Sequence, residues 1–170
     1  MTIKLIGAIL IVVSCAGMGF SIAASQIKAE RSLEQLIIAI EWMTNELQHH
    51  MPPLPDLCRQ AAIQVHGSLQ TIFITLADEL DRQAYSDAQA CVSVALEEVK
   101  DLPETTAKHL HRLGQSLGRF DLPGQLSGLE SIRQSAQREL DGLRANMDTR
   151  IRSYRTLGIC AGAALAILFI

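Results

Sequence analysis

The stretch RSYRTLGICAGAALAILFI, residues 152–170, ends the chain and carries no charged side chain after Arg155. From Leu157 to Ile170 every residue is apolar or small, and a helix of that length is about 21 Å long. The aliphatic stems of Arg152 and Arg155 extend the apolar length by snorkelling, and a bilayer thins around a short span. We therefore predict a transmembrane segment over residues 157–170.

A second apolar run lies at the other end of the chain, where Leu5–Ala24 holds no charge. Its length of about 20 residues suffices to cross a bilayer, so we predict an N-terminal anchor over residues 1–25. Two alternatives stay open. Ser21-Ile22-Ala23 resembles a signal-peptide cleavage site, and VVSC, ending at Cys15, resembles a lipidation site. The anchor is favoured because the apolar run continues past Cys15 and leads directly into an amphipathic helix.

Basic residues lie on the side of each span that faces the middle of the chain. Lys28 and Arg31 follow the first span and several arginines precede the second, whereas the outer flanks hold only Lys4. Because positive residues stay in the cytoplasm, we expect residues 26–156 there and both termini across the membrane. Some of these side chains also predict a membrane-facing basic patch for anionic headgroups, the alternative being that they only set topology: Lys28, Arg31, Arg150, Arg152 and Arg155.

Small residues in the spans favour close helix packing. Gly158 and Gly162 are four residues apart, and Cys15 and Gly19 have the same spacing in the first span. Such pairs let helix backbones approach each other. We therefore predict that the spans pack together, although an Ala/Gly-rich segment gives this spacing by chance as well.

Helical periodicity dominates the sequence between the spans. In residues 26–50, apolar residues recur at spacings of three and four, and these form the predicted inner face: Leu33, Leu36, Ile37, Ile40, Met43 and Leu47. The following MPPLPD, residues 51–56, places three prolines within four positions and ends the helix. No segment alternates as a strand does, so residues 26–156 are predicted to form an all-α domain.

Capping residues mark the next helices. Asp56 is a natural N-cap for a second helix over Leu57–Val65, which Gly67 ends, and Ser68 starts the third. Ser86 is the predicted cap of the fourth, which stops at Pro103 and has three apolar residues facing inward: Ala90, Val94 and Val99.

Two further helices complete the domain. The fifth is predicted from Thr105 to about Gly118, and the last begins near Gly124 and leads into the second span. The apolar stripe of the last helix is long: Leu129, Ile132, Ala136, Leu140, Leu143, Met147, Ile151 and Tyr154. Short connections predict an antiparallel bundle of about six helices. Its first and last helices should lie side by side and continue into the two spans.

Composition and motifs offer little for catalysis. The net charge is −3 and the pI about 5.9, which argues against nucleic-acid binding. Adjacent or alternate histidines diverge on a helix, the four cysteines form no CxxC pair, and no phosphate-binding loop occurs. We therefore expect no metal, no cofactor and no enzymatic activity. The rival hypothesis is a membrane-tethered sensor with a ligand inside the bundle; it needs a polar group in the interior, and the sequence offers no clear candidate.

The most unusual stretch is LHRLGQSLGRFDLPGQ, residues 110–125. Gly114 and Gly118 lie on one helix face, and each glycine costs about 1 kcal/mol relative to alanine within a helix. A structural interpretation is close helix packing or a C-cap at Gly118, with Asp121 capping the last helix. A functional interpretation is a docking surface, formed with the MPPLPD loop, at the end away from the membrane.

These motifs resemble those of the stage III sporulation protein AB family of endospore-forming bacteria. The pattern L-G-x-x-L-G-x-x-D-x-x-x-Q and the P-L loop are matched at Gly114, Gly118, Asp121, Gln125, Pro53 and Leu54. The terminal Y-R-x-L-G is matched from Tyr154 to Gly158, and the N-terminal KLIGAILIVV also fits. The likeness covers the whole chain, which departs from the pattern in Cys15 and in the three prolines of the loop.

The resemblance implies a six-helix cytoplasmic bundle similar to the cytoplasmic domain of the type II secretion platform protein F. It also implies a structural role in the channel between mother cell and forespore, on the mother-cell side in the outer forespore membrane. The expected partners are membrane lipids and other proteins of that assembly, including its cytoplasmic ATPase, with oligomerisation left open.

Overall fold

A computed structural model describes the backbone of residues 2–83, 87–118 and 121–169, and within these the side chains of residues 24–83, 87–118 and 121–145. This part of the chain contains six helices and no strand: α1 (Thr2–His49), α2 (Leu54–Gln64), α3 (Ser68–Arg82), α4 (Ala88–Glu98), α5 (Glu104–Ser116) and α6 (Leu122–Phe169). The predicted all-α bundle of six helices is confirmed.

Each helix packs against its neighbour in sequence, and α6 returns to pack against α1. Short connections make consecutive helices antiparallel. The bundle therefore has two ends. The proximal end carries the α2–α3 and α4–α5 turns and faces the outer ends of α1 and α6. The distal end carries the α1–α2, α3–α4 and α5–α6 turns.

The core is apolar and follows the predicted stripe of α1. Leu36, Ile40, Met43 and Leu47 belong to one buried cluster to which all six helices contribute, with Phe73 among the largest fully buried side chains. Complete burial of such side chains contributes about 1.5–3 kcal/mol each. The inner face predicted for the first helix is therefore confirmed.

A second, smaller cluster lies beside the main core and is formed by residues of α1 and α6. It consists of Leu33 and Ile37 from α1 and Ala136 and Leu140 from α6, with Leu143 partly buried beside it. The predicted stripe of the last helix is thus confirmed from Leu129 to Leu143. Its remainder, Met147, Ile151 and Tyr154, lies outside the described side chains.

Arginines of α6 tie the same two helices together at their surface. The Nε of Arg144 donates to Glu30 at 2.8 Å and its Nη2 donates to Glu34, while Arg133 donates to Glu41 at 3.3 Å. The hydrogen bond to Glu30 raises the pKa of Arg144 above its ordinary value. The first and last helices therefore lie side by side, as predicted.

The start of α2 differs from the prediction. The helix begins at Leu54 with Pro53 as N-cap, so Asp56 lies in the first turn and is not the cap. Pro55 fits there because the first residues of a helix have no intrahelical N–H bond to lose. The helix ends at Gln64, and Gly67, at φ +65°, precedes α3. Ser68 does begin the third helix, as predicted.

The fourth helix begins one residue later than predicted. Asp87 is its N-cap and accepts a hydrogen bond from Gln89 N at 3.1 Å, in place of the predicted Ser86. The predicted inward residues are only partly buried; the fully buried face consists of Ala88, Cys91, Val92 and Ala95. The inner face was therefore predicted wrongly.

The fifth and sixth helices also have shifted ends. The α5 helix spans Glu104–Ser116 and ends before Gly118, and α6 begins at Leu122, two residues before the predicted Gly124. The earlier start of α6 follows from Asp121, whose carbonyl accepts the Gln125 N–H at 2.9 Å.

The two predicted spans lie almost entirely outside the described side chains. The backbones of α1 and α6 are helical from Thr2 and to Phe169. In the part of the chain whose side chains are described, no helix has an apolar stretch long enough to cross a membrane. The anchors over residues 1–25 and 157–170 remain predictions.

Candidate functional site

The structure brings the residues of the family motif together at the distal end. Gly118 has φ +74°, the left-handed region that favours glycine. A Cβ added to it would lie 3.8 Å from Leu54 Cδ2, so the α5–α6 turn contacts the start of α2. The two loops proposed to form one surface are therefore neighbours.

Gly114 serves helix packing. A Cβ on this residue would lie 2.9 Å from Val92 Cγ2 and 3.0 Å from the Cα of Gln89. The α5 backbone thus approaches α4 too closely for any side chain at this position. For Gly114 the structural interpretation is correct.

Asp121 has a structural role as well. Its Oδ1 accepts a hydrogen bond from Gly124 N at 3.3 Å, and its carbonyl accepts the Gln125 N–H at 2.9 Å. It is the N-cap of α6, an arrangement that stabilises a helix by about 1 kcal/mol. The carboxylate remains exposed at the distal end, so capping does not remove it from the surface.

An exposed apolar residue stands beside these turns. Met51 is 63% exposed and adopts φ +47°, a conformation that side chains rarely take. Pro53, two residues further on, is also exposed. We call the exposed residues of these two turns the distal surface: Met51, Pro53, Gly118, Asp121 and Pro123.

The interior contains polar groups that sequence reasoning missed. His109 is only 1% exposed, and its Nε2 lies 2.8 Å from Glu139 Oε2 of α6. Several other buried polar atoms of α5 have no hydrogen-bond partner in the described part of the chain: Thr105 Oγ1, Thr106 Oγ1, His109 Nδ1 and Ser116 Oγ. The sequence offered no clear candidate for an interior polar group, and the structure supplies one at His109. The spacing of His109 from Thr106 and Leu113, on one helix face, could have indicated it.

The α5–α6 contact beside this polar face is also close. A Cβ on Gly128 of α6 would lie 1.9 Å from Ser116 Oγ. Ser116 is buried, so the glycine makes room for its hydroxyl. Gly128 belongs to the packing of the bundle, although no motif in the sequence pointed to it.

The predicted basic patch is described only in part. Lys28 forms an ion pair with Asp101 of the α4–α5 turn, and Arg31 is exposed one turn further along α1. The remaining residues, Arg150, Arg152 and Arg155, lie outside the described side chains, as do the glycines predicted to pack the spans, Gly158 and Gly162.

The described cysteines are buried. Cys58 and Cys91 are free thiols in the core, and burial raises the pKa of the Cys58 thiol to about 12. Both therefore act as small apolar side chains. Within the described residues, no three His, Cys, Asp or Glu side chains lie where they could hold a metal ion.

Comparison with known proteins gives one consistent result. The model of the family described as "Stage III sporulation protein AB" matches residues 4–170. The curated stage III sporulation protein AB of Bacillus subtilis (strain 168) is 27% identical over 172 residues, which cover 98% of each chain. A solved structure of a stage III sporulation protein AB is similar with a TM-score of 0.64 at 22% identity, over 72% of this chain and 98% of that one.

Proposed function

Because this chain belongs to the stage III sporulation protein AB family, which implies a role in sporulation, we propose that it is a membrane-anchored structural component of the secretion-like channel between mother cell and forespore. In this proposal it is not an enzyme. Its helical bundle stands in the mother-cell cytoplasm on the outer forespore membrane, and it acts as a platform that recruits other proteins of the assembly.

The antiparallel contact between α1 and α6 is the observation that supports twofold anchoring. Arg144 of α6 binds Glu30 and Glu34 of α1. Because the two helices are antiparallel, the N-terminal end of α1 and the C-terminal end of α6 lie on the same side of this contact. Two apolar ends that leave a bundle on one side can enter one membrane together. The basic residues beside them would then face its cytoplasmic leaflet.

The distal surface is the proposed site of recruitment. It lies away from the predicted spans and combines an exposed Met51 with an exposed carboxylate at Asp121. Exposed methionine is typical of adaptable protein-binding surfaces. We propose that this surface contacts partners of the assembly, among them its cytoplasmic ATPase.

Substitution at Met51 tests the recruitment. Asparagine tolerates the left-handed backbone conformation, so Met51→Asn removes the apolar side chain without backbone strain. The matched control is Gln83→Asn, because Gln83 is the other described non-glycine residue with positive φ, at +49°. The readout is the amount of ATPase that co-purifies with the full-length chain from sporulating cells.

We expect Met51→Asn to lower this capture at least about fivefold, as the loss of an interface side chain worth more than 1 kcal/mol would do. Gln83→Asn should leave it unchanged. If both variants and the unaltered protein capture equal amounts of the ATPase, Met51 does not contribute to the contact.

Topology is tested by labelling with a membrane-impermeant thiol reagent. Gln60→Cys places a thiol at an exposed position of α2 in a chain with Cys15→Ala and Cys160→Ala. The buried Cys58 and Cys91 serve as an internal measure of intact folding. Protection in intact cells and reaction after lysis are expected. Reaction in intact cells would place the bundle outside and contradict the proposal.

A membrane-tethered sensor is the second candidate, favoured by the buried His109 and its partly exposed partner Glu139. His109 is an interior ionisable group whose Nδ1 has no hydrogen-bond partner among the described residues. Ligand recognition inside the bundle would use such a group. His109→Gln retains a polar side chain of similar reach and tests this role. If the variant sporulates normally and folds normally, the sensor hypothesis fails.

A further inference from the structure

A cleft of about 220 Å³ opens at the proximal end of the bundle, between α1 and the α2–α3 and α4–α5 turns. It is separate from the distal surface. We call this cavity the proximal cleft. The lining side chains that bear on its chemistry are Lys28, Arg31, Gln35, His66, Ser68 and Asp101.

Hydrogen-bond donors outnumber acceptors in the proximal cleft. Arg31 is exposed and has no hydrogen-bond or ion-pair partner in the described part of the chain. Gln35 Oε1 accepts a hydrogen bond from the backbone N–H of His66 at 3.2 Å. The NH2 group of Gln35 is therefore left to donate elsewhere. Guanidinium, amide and hydroxyl donors around one cavity are suited to an anion with several oxygens.

Asp101, the only carboxylate among the described residues that line the proximal cleft, is already engaged. Asp101 pairs with Lys28, and both side chains are well exposed, at 85% and 44%. A pair this exposed contributes little free energy, so an incoming anion can share or replace Asp101 as the partner of Lys28. The formal charge of the cleft is +1 with His66 neutral.

The start of α3 adds further donors to the same cavity. Gly67 precedes the helix at φ +65° and ψ −134°, and no side chain caps it. An added Cβ at Gly67 would meet no atom of the described residues within 4 Å, so it is the left-handed backbone conformation that favours glycine there. The first N–H groups of the helix therefore lie uncapped beside the two basic side chains of α1.

The proximal cleft also lies at the right height for lipid. Arg31 is seven residues beyond Ala24, the last residue of the predicted span, or about 10 Å along the helix. The headgroup region on each side of a bilayer is about 5–8 Å thick. A long arginine side chain at this height reaches phosphate groups at the membrane surface.

We propose that the proximal cleft binds a phosphate group, presented by the headgroup of an anionic phospholipid. The lipid source rests on the membrane anchorage proposed above. The phosphate chemistry does not, because it follows from the donors of the cleft. Inorganic phosphate offers the same chemistry, so the test has one arm for each source.

The test uses the full-length chain in nanodiscs, with its histidine rings isotope-labelled for NMR. In one arm, nanodiscs of phosphatidylcholine are compared with nanodiscs that contain phosphatidic acid. In the other, inorganic phosphate is titrated into the phosphatidylcholine nanodiscs. His66 reports on the cleft, whereas His49 and His50 at the distal end serve as controls within the same spectrum.

Arg31→Gln is the test variant and Arg138→Gln the control. Arg138 lies on α6 away from the cleft, and among the described residues it donates only to the Gln134 carbonyl of its own helix. We expect phosphatidic acid to shift the His66 signals alone, and Arg31→Gln to weaken this binding about tenfold, the loss typical of a charged hydrogen bond. Arg138→Gln should bind as the unaltered chain does.

A response to inorganic phosphate alone, lost in Arg31→Gln, would support the site and overturn the lipid source. No response of His66 in either arm, or an equal response in Arg31→Gln, would overturn the proposal. The inorganic-phosphate arm does not depend on the orientation of the chain in the cell membrane. Loss of the response in that arm therefore tests the site, and it leaves the proposed anchorage to be tested separately.

Discussion

The two ends of the bundle use their turns in different ways. At the distal end, Gly118 turns the chain after α5 and the Asp121 carboxylate caps α6, so polar groups of the turns are bound within the fold. At the proximal end, α3 starts without a side-chain cap and Arg31 has no partner among the described residues. The side-chain caps seen in the described residues, Asp87 of α4 and Asp121 of α6, both lie at the distal end, although α2 begins there without one. Hydrogen-bond donors available to a ligand lie at the proximal end.

This difference changes the meaning of the family motif. Its glycines and aspartate are explained by packing and capping, whereas the exposed side chain best suited to contact a partner is Met51, outside the pattern. A motif can therefore maintain a surface without supplying its contacts. The proximal cleft, by contrast, consists of residues from three separate segments that no motif connects.

The largest expected effect concerns the close contact of α4 and α5. Gly114→Ala places a Cβ 2.9 Å from Val92 Cγ2 and 3.0 Å from the backbone of Gln89, and overpacking of this kind costs about 1–3 kcal/mol. The matched control is Gly142→Ala at an exposed position of α6, where an added Cβ meets no atom of the described residues within 4 Å. Alanine should stabilise that position by about 1 kcal/mol. Thermal unfolding measures both, and the same sign for both changes would refute the packing role of Gly114.

A smaller effect is expected at the cap of α6. Asp121→Ala removes the acceptor of the Gly124 N–H and should lower the free energy of unfolding by about 1 kcal/mol. Asp121→Asn keeps a capping oxygen and should cost less than half of that.

Asp121→Lys separates capping from docking. It should weaken partner capture more than Asp121→Ala does, while helix content stays the same by circular dichroism. If Asp121→Ala and Asp121→Lys lower capture equally, the carboxylate contributes to the distal surface only through the cap.

The smallest effect is expected between the two ends, where Arg133 donates to Glu130 at 2.8 and 2.7 Å. These bonds lower the pKa of Glu130 from 4.5 to about 2. A pKa that is lower in the folded state stabilises the fold above pH 4.5, and this stabilisation is lost as the pH falls towards 2. In an NMR titration, Arg133→Gln should return the pKa of Glu130 towards 4.5, and an unchanged value would show that Arg133 is not the cause.

Most of the fold could be predicted from local patterns. The stripe from Leu33 to Leu47 and the short turns specify amphipathic helices in an antiparallel bundle, because apolar periodicity and helix-breaking residues act locally. Helix starts were harder to predict. Ser86 and Asp87 are both good caps, and a choice wrong by one residue turns the predicted inner face of α4 by about 100°.

Contacts between distant residues could not be predicted. His109 and Glu139 are 30 positions apart, and the proximal cleft joins residues near 31, 67 and 101. Helical spacing could indicate that His109 faces inward, but nothing in the local sequence shows that it meets Glu139 across the bundle. The close approaches at Gly114 and Gly128 likewise depend on the neighbouring helix.

The orientation of the bundle is the central claim, and energy transfer to membrane lipids tests it most directly. Glu104→Cys and Gln115→Cys place a fluorescent donor at exposed positions near the proximal and distal ends of α5, about 16 Å apart along the helix. Each full-length variant, with Cys15→Ala and Cys160→Ala, is placed in vesicles with acceptor lipids. We predict clearly stronger transfer from position 104 than from position 115. Equal transfer would mean that the bundle lies on its side, and stronger transfer from position 115 would mean that the distal end faces the membrane; either result would contradict the claim.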